Sequence, residues 1–66
     1  MQITLNGKSA SVVDGVKLGE VIDMFAVDRR GVAVALNGEV VKRGDWDSQV
    51  LIDRDAIEIL SIAAGG

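Results

Sequence analysis

Sixty-six residues suffice for one small domain, and a chain of this size buries only about 60% of its unfolded surface on folding. The absence of cysteine excludes disulfides and thiolate metal sites, and no apolar run approaches the length of a membrane span. The net charge of −3 opposes binding to nucleic-acid phosphates and fits docking on a basic or mixed protein surface, so neither a nucleic acid nor a membrane is an expected partner.

The first predicted unit is a hairpin. Apolar and polar residues alternate from Met1 to Leu5, which is strand periodicity, and Asn6-Gly7 follows. Both turn residues accept the positive φ of a type I′ turn, so a two-residue loop is expected, with Leu5 opposite Lys8. The apolar side chains that then share one face are Met1, Ile3, Leu5, Ala10 and Val12.

An amphipathic helix is predicted after the turn at Asp14-Gly15. Its apolar stripe has the spacing i, i+3, i+4, i+7 and consists of Leu18, Val21, Ile22 and Phe25. We expect Phe25 to fill the core and Asp14 to cap the start of the helix. Gly19 inside the helix costs about 1 kcal/mol relative to Ala, so the helix should depend on tertiary packing. The polar loop that follows carries Arg29 and Arg30, which we expect on a solvated surface.

A second Asn-Gly hairpin is predicted from Val32 to Val41, with its turn at Asn37-Gly38. Trp46 lies in the polar connection 42–49 and is expected to cover one end of the core. One helical turn capped by Asp45 is expected there. The carboxylates of the segment Asp53–Asp55 are interpreted as turn residues rather than calcium ligands, because no Glu closes a twelve-residue loop. No metal site is predicted.

The last predicted strand, 57–62, is apolar on both sides. Ile57 and Ile59 point one way, whereas Leu60 and Ile62 point the other way with Glu58. One predicted helix can cover only one face of the sheet. We therefore predict that Leu60 and Ile62 form a docking patch for a partner protein. Ordinary burial of both residues is the alternative.

Beyond this strand the chain reads Ala63-Ala64-Gly65-Gly66. We expect residues 1–62 to form the folded domain and 63–66 a flexible tail, with a frayed end as the alternative. The tail has no side chain beyond two methyl groups, so it can thread a narrow channel. Its four residues reach at most ~13 Å. The reactive group would be the carboxylate of Gly66.

The predicted order is strand, strand, helix, strand, strand, short turn, strand. This order indicates an α+β fold of the β-grasp, or ubiquitin-like, architecture. It has a mixed sheet of four or five strands, with the main helix packed on one face. The first and last strands should lie side by side and parallel at its centre.

At this point the whole chain resembles the ThiS family of ubiquitin-like sulfur carriers of thiamine biosynthesis. Members often carry Pro where Lys42 stands and Gly where Arg54 stands. The segments that carry the resemblance are the start 1–7, the helix stripe 18–25, Val34–Val41, Arg43 with Trp46, the turn at Asp53 and Asp55, and the end from Ile57 to Gly66.

The resemblance implies that the protein is a co-substrate and not an enzyme. An E1-like adenylyltransferase of the ThiF type would use ATP and Mg²⁺ to adenylate Gly66. Sulfur, supplied ultimately by a cysteine desulfurase, would convert it to a thiocarboxylate. Thiazole synthase of the ThiG type would then accept the sulfur. The chain would bind no cofactor itself. It has no His and no P-loop, which agrees with a passive role.

Three alternatives remain open at this point. The small subunit of molybdopterin synthase shares the fold, the Gly-Gly end and the thiocarboxylate. A ubiquitin-like protein modifier would instead link Gly66 to lysines. A plain interaction module would have an inert tail. The N-terminus lacks a basic region followed by an apolar stretch, so no signal peptide is expected and a cytoplasmic location is the simple inference.

Overall fold

The computed structural model describes residues 1–26 and 28–62. Within these residues the helix is too short to span a membrane. Two short 3₁₀ turns, Arg29–Gly31 and Arg43–Asp45, accompany the regular elements, which are β1 (Gln2–Leu5), β2 (Lys8–Ser11), α1 (Leu18–Phe25), β3 (Val32–Leu36), β4 (Glu39–Val40) and β5 (Ala56–Ser61).

The five strands form a single mixed sheet in the order β2-β1-β5-β3-β4. The central strand β5 runs parallel to β1 and antiparallel to β3. Antiparallel neighbours flank this centre on both sides, β2 next to β1 and β4 next to β3. This is the β-grasp architecture that the element order predicts, with the first and last strands parallel at the centre.

Both Asn-Gly turns form as predicted. Asn6 and Gly7 have φ of +50° and +84°, and Asn37 and Gly38 have φ of +51° and +86°. These values are those of a two-residue type I′ hairpin loop, which matches the twist of the strands on either side. The first turn sets Leu5 opposite Lys8, which is the expected register.

The helix begins at Leu18, the first residue of the predicted stripe, but it is capped differently than the sequence predicts. Asp14 lies in the preceding turn, and Lys17 is the N-cap residue of α1. The backbone N–H of Lys17 donates to Oε1 of Glu20 at 3.2 Å, so a carboxylate of the first turn caps the helix in place of Asp14. The prediction for Asp14 was therefore wrong.

The core lies between α1 and the face of the sheet that α1 covers. Predicted members of the stripe are buried, but Phe25 is 52% exposed, and its assignment to the core was wrong. Because α1 ends at Phe25, the chain turns away there and the smaller Ala26 packs against the core instead. The buried residues are Ile3, Val16, Leu18, Val21, Ile22, Val34, Trp46, Leu51, Ile57 and Ile59.

Arg29 joins α1 to two loops and is not the solvated residue that the sequence predicts. Its guanidinium pairs with Asp23 at 2.7 Å and with Asp47 at 2.8 Å, and it donates to the carbonyl of Gly19 at 3.2 Å. Its Cζ lies 5.9 Å from the centroid of the Trp46 ring. A Cβ at Gly19 would collide with the Asp47 carboxylate, which explains a glycine inside a helix. Arg30, in contrast, is exposed and pairs locally.

The connection after β4 also differs in detail. Its 3₁₀ turn begins after Lys42 and ends at Asp45, so Asp45 closes the turn and does not cap it. Trp46 is buried as expected, and its Nε1 donates to the carbonyl of Val41 at 2.9 Å. The turn before β5 forms at Asp53 and Arg54.

Candidate docking face and carboxyl-terminal strand

The two sides of β5 have opposite surroundings. Ile57 and Ile59 are 1% and 5% exposed beneath α1, whereas Leu60 is 61% exposed and Ile62, just beyond the strand, is 50% exposed. Alternation along a strand sends neighbouring side chains to opposite faces. The structure therefore keeps both predicted docking residues accessible, and the alternative of ordinary burial does not hold for the isolated chain.

The register of the sheet shows what surrounds Leu60 on the open face. Leu60 lies opposite Ala33 of β3, and Glu58 lies opposite Ala35, which in turn lies opposite Val40 of β4. Directly paired residues project to the same face. We call Leu60, Ala33, Ala35 and Val40 the open-face patch. The small side chains of its two alanines leave a shallow depression beside the larger Leu60 and Val40.

Val40 was missed as a candidate. It is 79% exposed, and its neighbour Val41 packs against the core. Two consecutive valines after a hairpin turn cannot both face inwards, because side chains alternate. That signal was present in Glu39-Val40-Val41, but the order of the strands was needed to place Val40 near Leu60.

The other half of the open face is polar. Gln2 donates through Nε2 to Ser11 Oγ at 2.6 Å and accepts at Oε1 from Ser9 Oγ at 2.8 Å. The face thus divides into a neutral polar area on β1 and β2 and an apolar area on β5, β3 and β4. Glu58 is an exposed acidic residue between them. A partner surface with apolar groups and a cation would complement this division.

Residues 1–26 and 28–62 contain no cluster of three potential metal ligands. The carboxylate of Asp55, one of the spaced acidic residues, is buried and accepts from the backbone N–H of Ile52 at 2.9 Å and from Asn37 Nδ2 at 3.0 Å. Asp55 therefore supports the start of β5, which agrees with its interpretation as a turn residue.

Asn6 and Asn37 reach β5 from opposite ends. The side-chain Oδ1 of Asn37 accepts from the N–H of Ala56 at 2.9 Å, and Asn6 Oδ1 accepts from the N–H of Ile59 at 2.8 Å. Sequence reasoning treated both residues only as turn formers. Their second role depends on contacts across 19 and 53 positions of the chain, which local patterns do not show.

The strand leads towards the predicted reactive end. The N–H of Ile62 donates to the carbonyl of Gly31 at 2.8 Å, which extends the pairing of β5 with the segment before β3. The four predicted tail residues, Ala63, Ala64, Gly65 and Gly66, lie outside the described residues.

A family model, that of the ThiS family, matches residues 3–66. The chain belongs to the ThiS family. It is 29% identical to the sulfur carrier protein ThiS of Escherichia coli K12 over 66 residues, which is the full length of both chains.

Solved ThiS structures share the fold of the chain. The crystal structure of the thiamine biosynthesis protein ThiS from Geobacter metallireducens matches with a TM-score of 0.86 and 33% identity over the whole of both chains. A solution NMR structure of a thiamine biosynthesis protein from the same organism matches with a TM-score of 0.79 and 35% identity, covering all of this chain and 88% of that one. The match to the ThiS model includes Gly66, on which the predicted chemistry depends.

Proposed function

We propose that this protein is a sulfur carrier of thiamine biosynthesis and that Gly66 holds the sulfur as a thiocarboxylate. The observation that carries the proposal is the position of β5. The strand is anchored at the centre of the sheet, leaves Leu60 exposed and leads directly into the family-matched end of the chain. Recognition surface and reactive group are thus joined by a few residues of one segment.

The chemistry follows from the low reactivity of a carboxylate. Attack of a Gly66 carboxylate oxygen on the α-phosphorus of ATP, assisted by Mg²⁺ in an E1-like adenylyltransferase of the ThiF type, forms an acyl adenylate and releases pyrophosphate. A sulfur nucleophile derived from a cysteine desulfurase then attacks the acyl carbon and displaces AMP. When that nucleophile is a persulfide, the product is an acyl disulfide. A thiol of the activating machinery then attacks the outer sulfur, forms a disulfide with it and releases the thiocarboxylate, which thiazole synthase of the ThiG type accepts. ATP and Mg²⁺ belong to the activating enzyme in this scheme.

In this scheme the protein is a co-substrate and not an enzyme. The chain has no His and no Cys, so two of the commonest acid–base and nucleophilic groups are missing from its composition. Ala63, Ala64 and Gly65 would pass through a narrow channel of the partner, since only two methyl groups add to their backbone. We place these reactions in the cytoplasm.

Docking is assigned to the open-face patch, which includes Leu60, together with Ile62. Burial of an exposed leucine contributes about 1.5–3 kcal/mol, so one or two such residues can dominate a small interface. Both partners would use the same face in turn, because each must reach Gly66. Simultaneous binding of the activating enzyme and thiazole synthase is therefore not expected.

Intact mass spectrometry tests the carrier function directly. The protein is incubated with an activating enzyme, ATP, Mg²⁺ and a sulfur donor, and we expect a mass gain that equals replacement of one oxygen by sulfur. Fragmentation should place the change at Gly66, and a variant lacking Gly66 should stay unmodified. An unchanged mass, or a modification elsewhere in the chain, would refute the proposal.

A matched pair of variants tests the docking face. Leu60→Glu should weaken binding to the activating enzyme by at least about tenfold, because a charge replaces an apolar contact. Met24→Glu is the control, since Met24 is also exposed but lies on α1, across the sheet from the patch. Calorimetric titration gives both affinities. Equal affinity of the folded Leu60→Glu variant and the wild type would remove Leu60 from the interface.

A further inference from the structure

The two edges of β5 are held unequally. Towards β3, the strand has paired residues from Ile57 to Ser61. Towards β1, the parallel pairing ends at Leu5 opposite Ile57. β1 ends there and the chain turns at Asn6-Gly7. Within the described residues, the half of β5 nearest the chain terminus therefore has no paired strand on its β1 edge.

The register shows which groups face that side. The N–H of Asn37 donates to the carbonyl of Ala56 and the N–H of Ile62 donates to Gly31, so even-numbered residues of this segment bond towards β3. The carbonyl of Ile57 instead accepts from the N–H of Asn6 at 2.8 Å. Ile59 and Ser61 therefore direct their backbone groups towards the position that β1 has left.

The side chain of Asn6 takes the place of the missing strand at Ile59. Its Oδ1 accepts from the Ile59 N–H at 2.8 Å, and its Nδ2 donates to the Ile59 carbonyl at 3.2 Å. A primary amide presents a donor and an acceptor side by side, as a peptide of a neighbouring strand does. Within residues 1–26 and 28–62, no further hydrogen bond holds this edge beyond Ile59.

Because the two hydrogen bonds of Asn6 hold β5 at Ile59, a small change in the direction of the strand there is magnified further along the chain. Three positions separate Ile59 from Ile62, the last described residue, which corresponds to a span of at most about 10 Å. A tilt of about 10° at Ile59 would displace the point at which the predicted tail begins by about 2 Å. Displacements of about 1 Å at a reacting centre can lower a rate by as much as 10²-fold.

We propose that Asn6 is a positioning residue for carboxylate activation: its amide fixes the orientation in which β5 delivers the end of the chain to the activating enzyme. The proposal rests on the carrier function proposed above. It assigns to Asn6 a role beyond the left-handed turn, since a glycine could form that turn equally well.

Asn6→Gly and Asn37→Gly form a matched pair for the test. Both residues have φ near +50° in a type I′ turn, and both hold one N–H of β5 through Oδ1. Only Asn6 acts on the half of the strand nearest the terminus. Asn6→Asp is a second variant that keeps the turn and the acceptor of the Ile59 N–H. Its second carboxylate oxygen replaces the Nδ2 donor and would repel the Ile59 carbonyl oxygen.

The readouts are turnover in ATP-dependent activation, affinity for the activating enzyme, and amide hydrogen exchange of the free proteins. We expect Asn6→Gly to lower turnover about tenfold. Its dissociation constant should stay within about twofold of the wild type, because the open-face patch is intact. Asn6→Asp should be slowed as well, and Asn37→Gly should turn over like the wild type once rates are corrected for the folded fraction. Exchange should accelerate at Ile59 in Asn6→Gly and at Ala56 in Asn37→Gly.

Equal turnover of the folded Asn6→Gly, Asn37→Gly and wild-type proteins would overturn the inference while leaving the carrier function intact. A loss of affinity that accounts for the whole effect would overturn it as well. If the wild type itself is not activated, the proposed function fails, and the positioning role of Asn6 fails with it. If Asn6→Gly does not fold, Asn6→Asp decides the question through the same comparison.

Discussion

The covered and open faces of the sheet use the same strand for different purposes. On the covered face, Ile57 and Ile59 of β5 are packed beneath α1 with Ile3 and Val34. On the open face, Leu60 and Val40 are exposed beside two alanines. Burial on one side supplies stability, and exposure on the other leaves an apolar surface free for a partner. Stability and recognition should therefore respond to different substitutions within a single strand.

Truncation of matched residues on the two faces should have the largest effect. Ile57→Ala removes a fully buried side chain and should lower the free energy of unfolding by about 2–5 kcal/mol. Leu60→Ala removes an exposed side chain and should change it by no more than about 0.5 kcal/mol. Urea denaturation measures the free energy of unfolding of both variants. Among the folded proteins, Leu60→Ala should weaken binding to the activating enzyme more than Ile57→Ala does. Comparable losses of stability would mean that the open face is part of the core.

The polar support of β5 should matter less than its apolar packing. Asp55→Ala removes the acceptor of the Ile52 N–H and the Asn37 amide, and should lower the free energy of unfolding by about 1–3 kcal/mol. Asp45→Ala is the control, because Asp45 is exposed. The same urea titrations serve here. An effect as large as that of Ile57→Ala would show that β5 depends on its buried carboxylate as much as on the core.

Strong acid should weaken the ion pairs that Arg29 makes with Asp23 and Asp47 on the helix side of the molecule. The hydrogen bonds from Arg29 hold the pKa of Asp23 and of Asp47 below the ordinary value of 3.8. The pKa of Arg29 is raised in turn by the same bonds. Both carboxylates are therefore more acidic in the folded than in the unfolded protein. Their contribution is present above about pH 4 and is lost as the pH falls through their lowered folded-state pKa values.

Melting temperatures between pH 6 and pH 2 measure this dependence. We expect the Asp23→Asn/Asp47→Asn double variant to lose less stability than the wild type over the acid part of this range. Some dependence should remain, because Arg30 similarly lowers the pKa of Asp28. If wild type and double variant lose stability in parallel, Arg29 does not contribute to folding through these pairs.

Much of this arrangement could be predicted from the sequence. Alternation in the strands, the spacing of Leu18, Val21 and Ile22, and the two Asn-Gly turns were sufficient to predict the β-grasp topology and the open side of β5. Each of these signals is local. The exposed position of Leu60 also follows from alternation, once a single helix is seen to cover one face.

The errors lie where a residue's environment depends on distant parts of the chain. Phe25 fits the helical spacing, but the helix ends there and its side chain stays 52% exposed. Arg29 contacts Asp47 across 18 positions, and Asn6 contacts Ile59 across 53. Such contacts require the relative placement of elements, which periodicity does not provide. The same placement brings Val40 onto the face of Leu60.

The smallest expected effect concerns Arg54, in the turn before β5. Its φ of +71° lies in the left-handed region, where a non-glycine residue is strained by about 1–2 kcal/mol. Among the described residues, its exposed side chain forms one ion pair, with Asp53 at 3.8 Å. Its backbone N–H donates to the Gln2 carbonyl, and a glycine would retain that hydrogen bond. Arg54→Gly relieves this strain, but the more flexible glycine loses more conformational entropy on folding, which costs about 0.5–1 kcal/mol. We therefore expect the free energy of unfolding to rise by about 0.5 kcal/mol and the melting temperature by about 2–4 °C. Calorimetry measures the shift, and sulfur loading should not change, because the substitution leaves the open-face patch and Asn6 unaltered. A lower melting temperature would show that the arginine side chain contributes more to stability than its backbone strain removes.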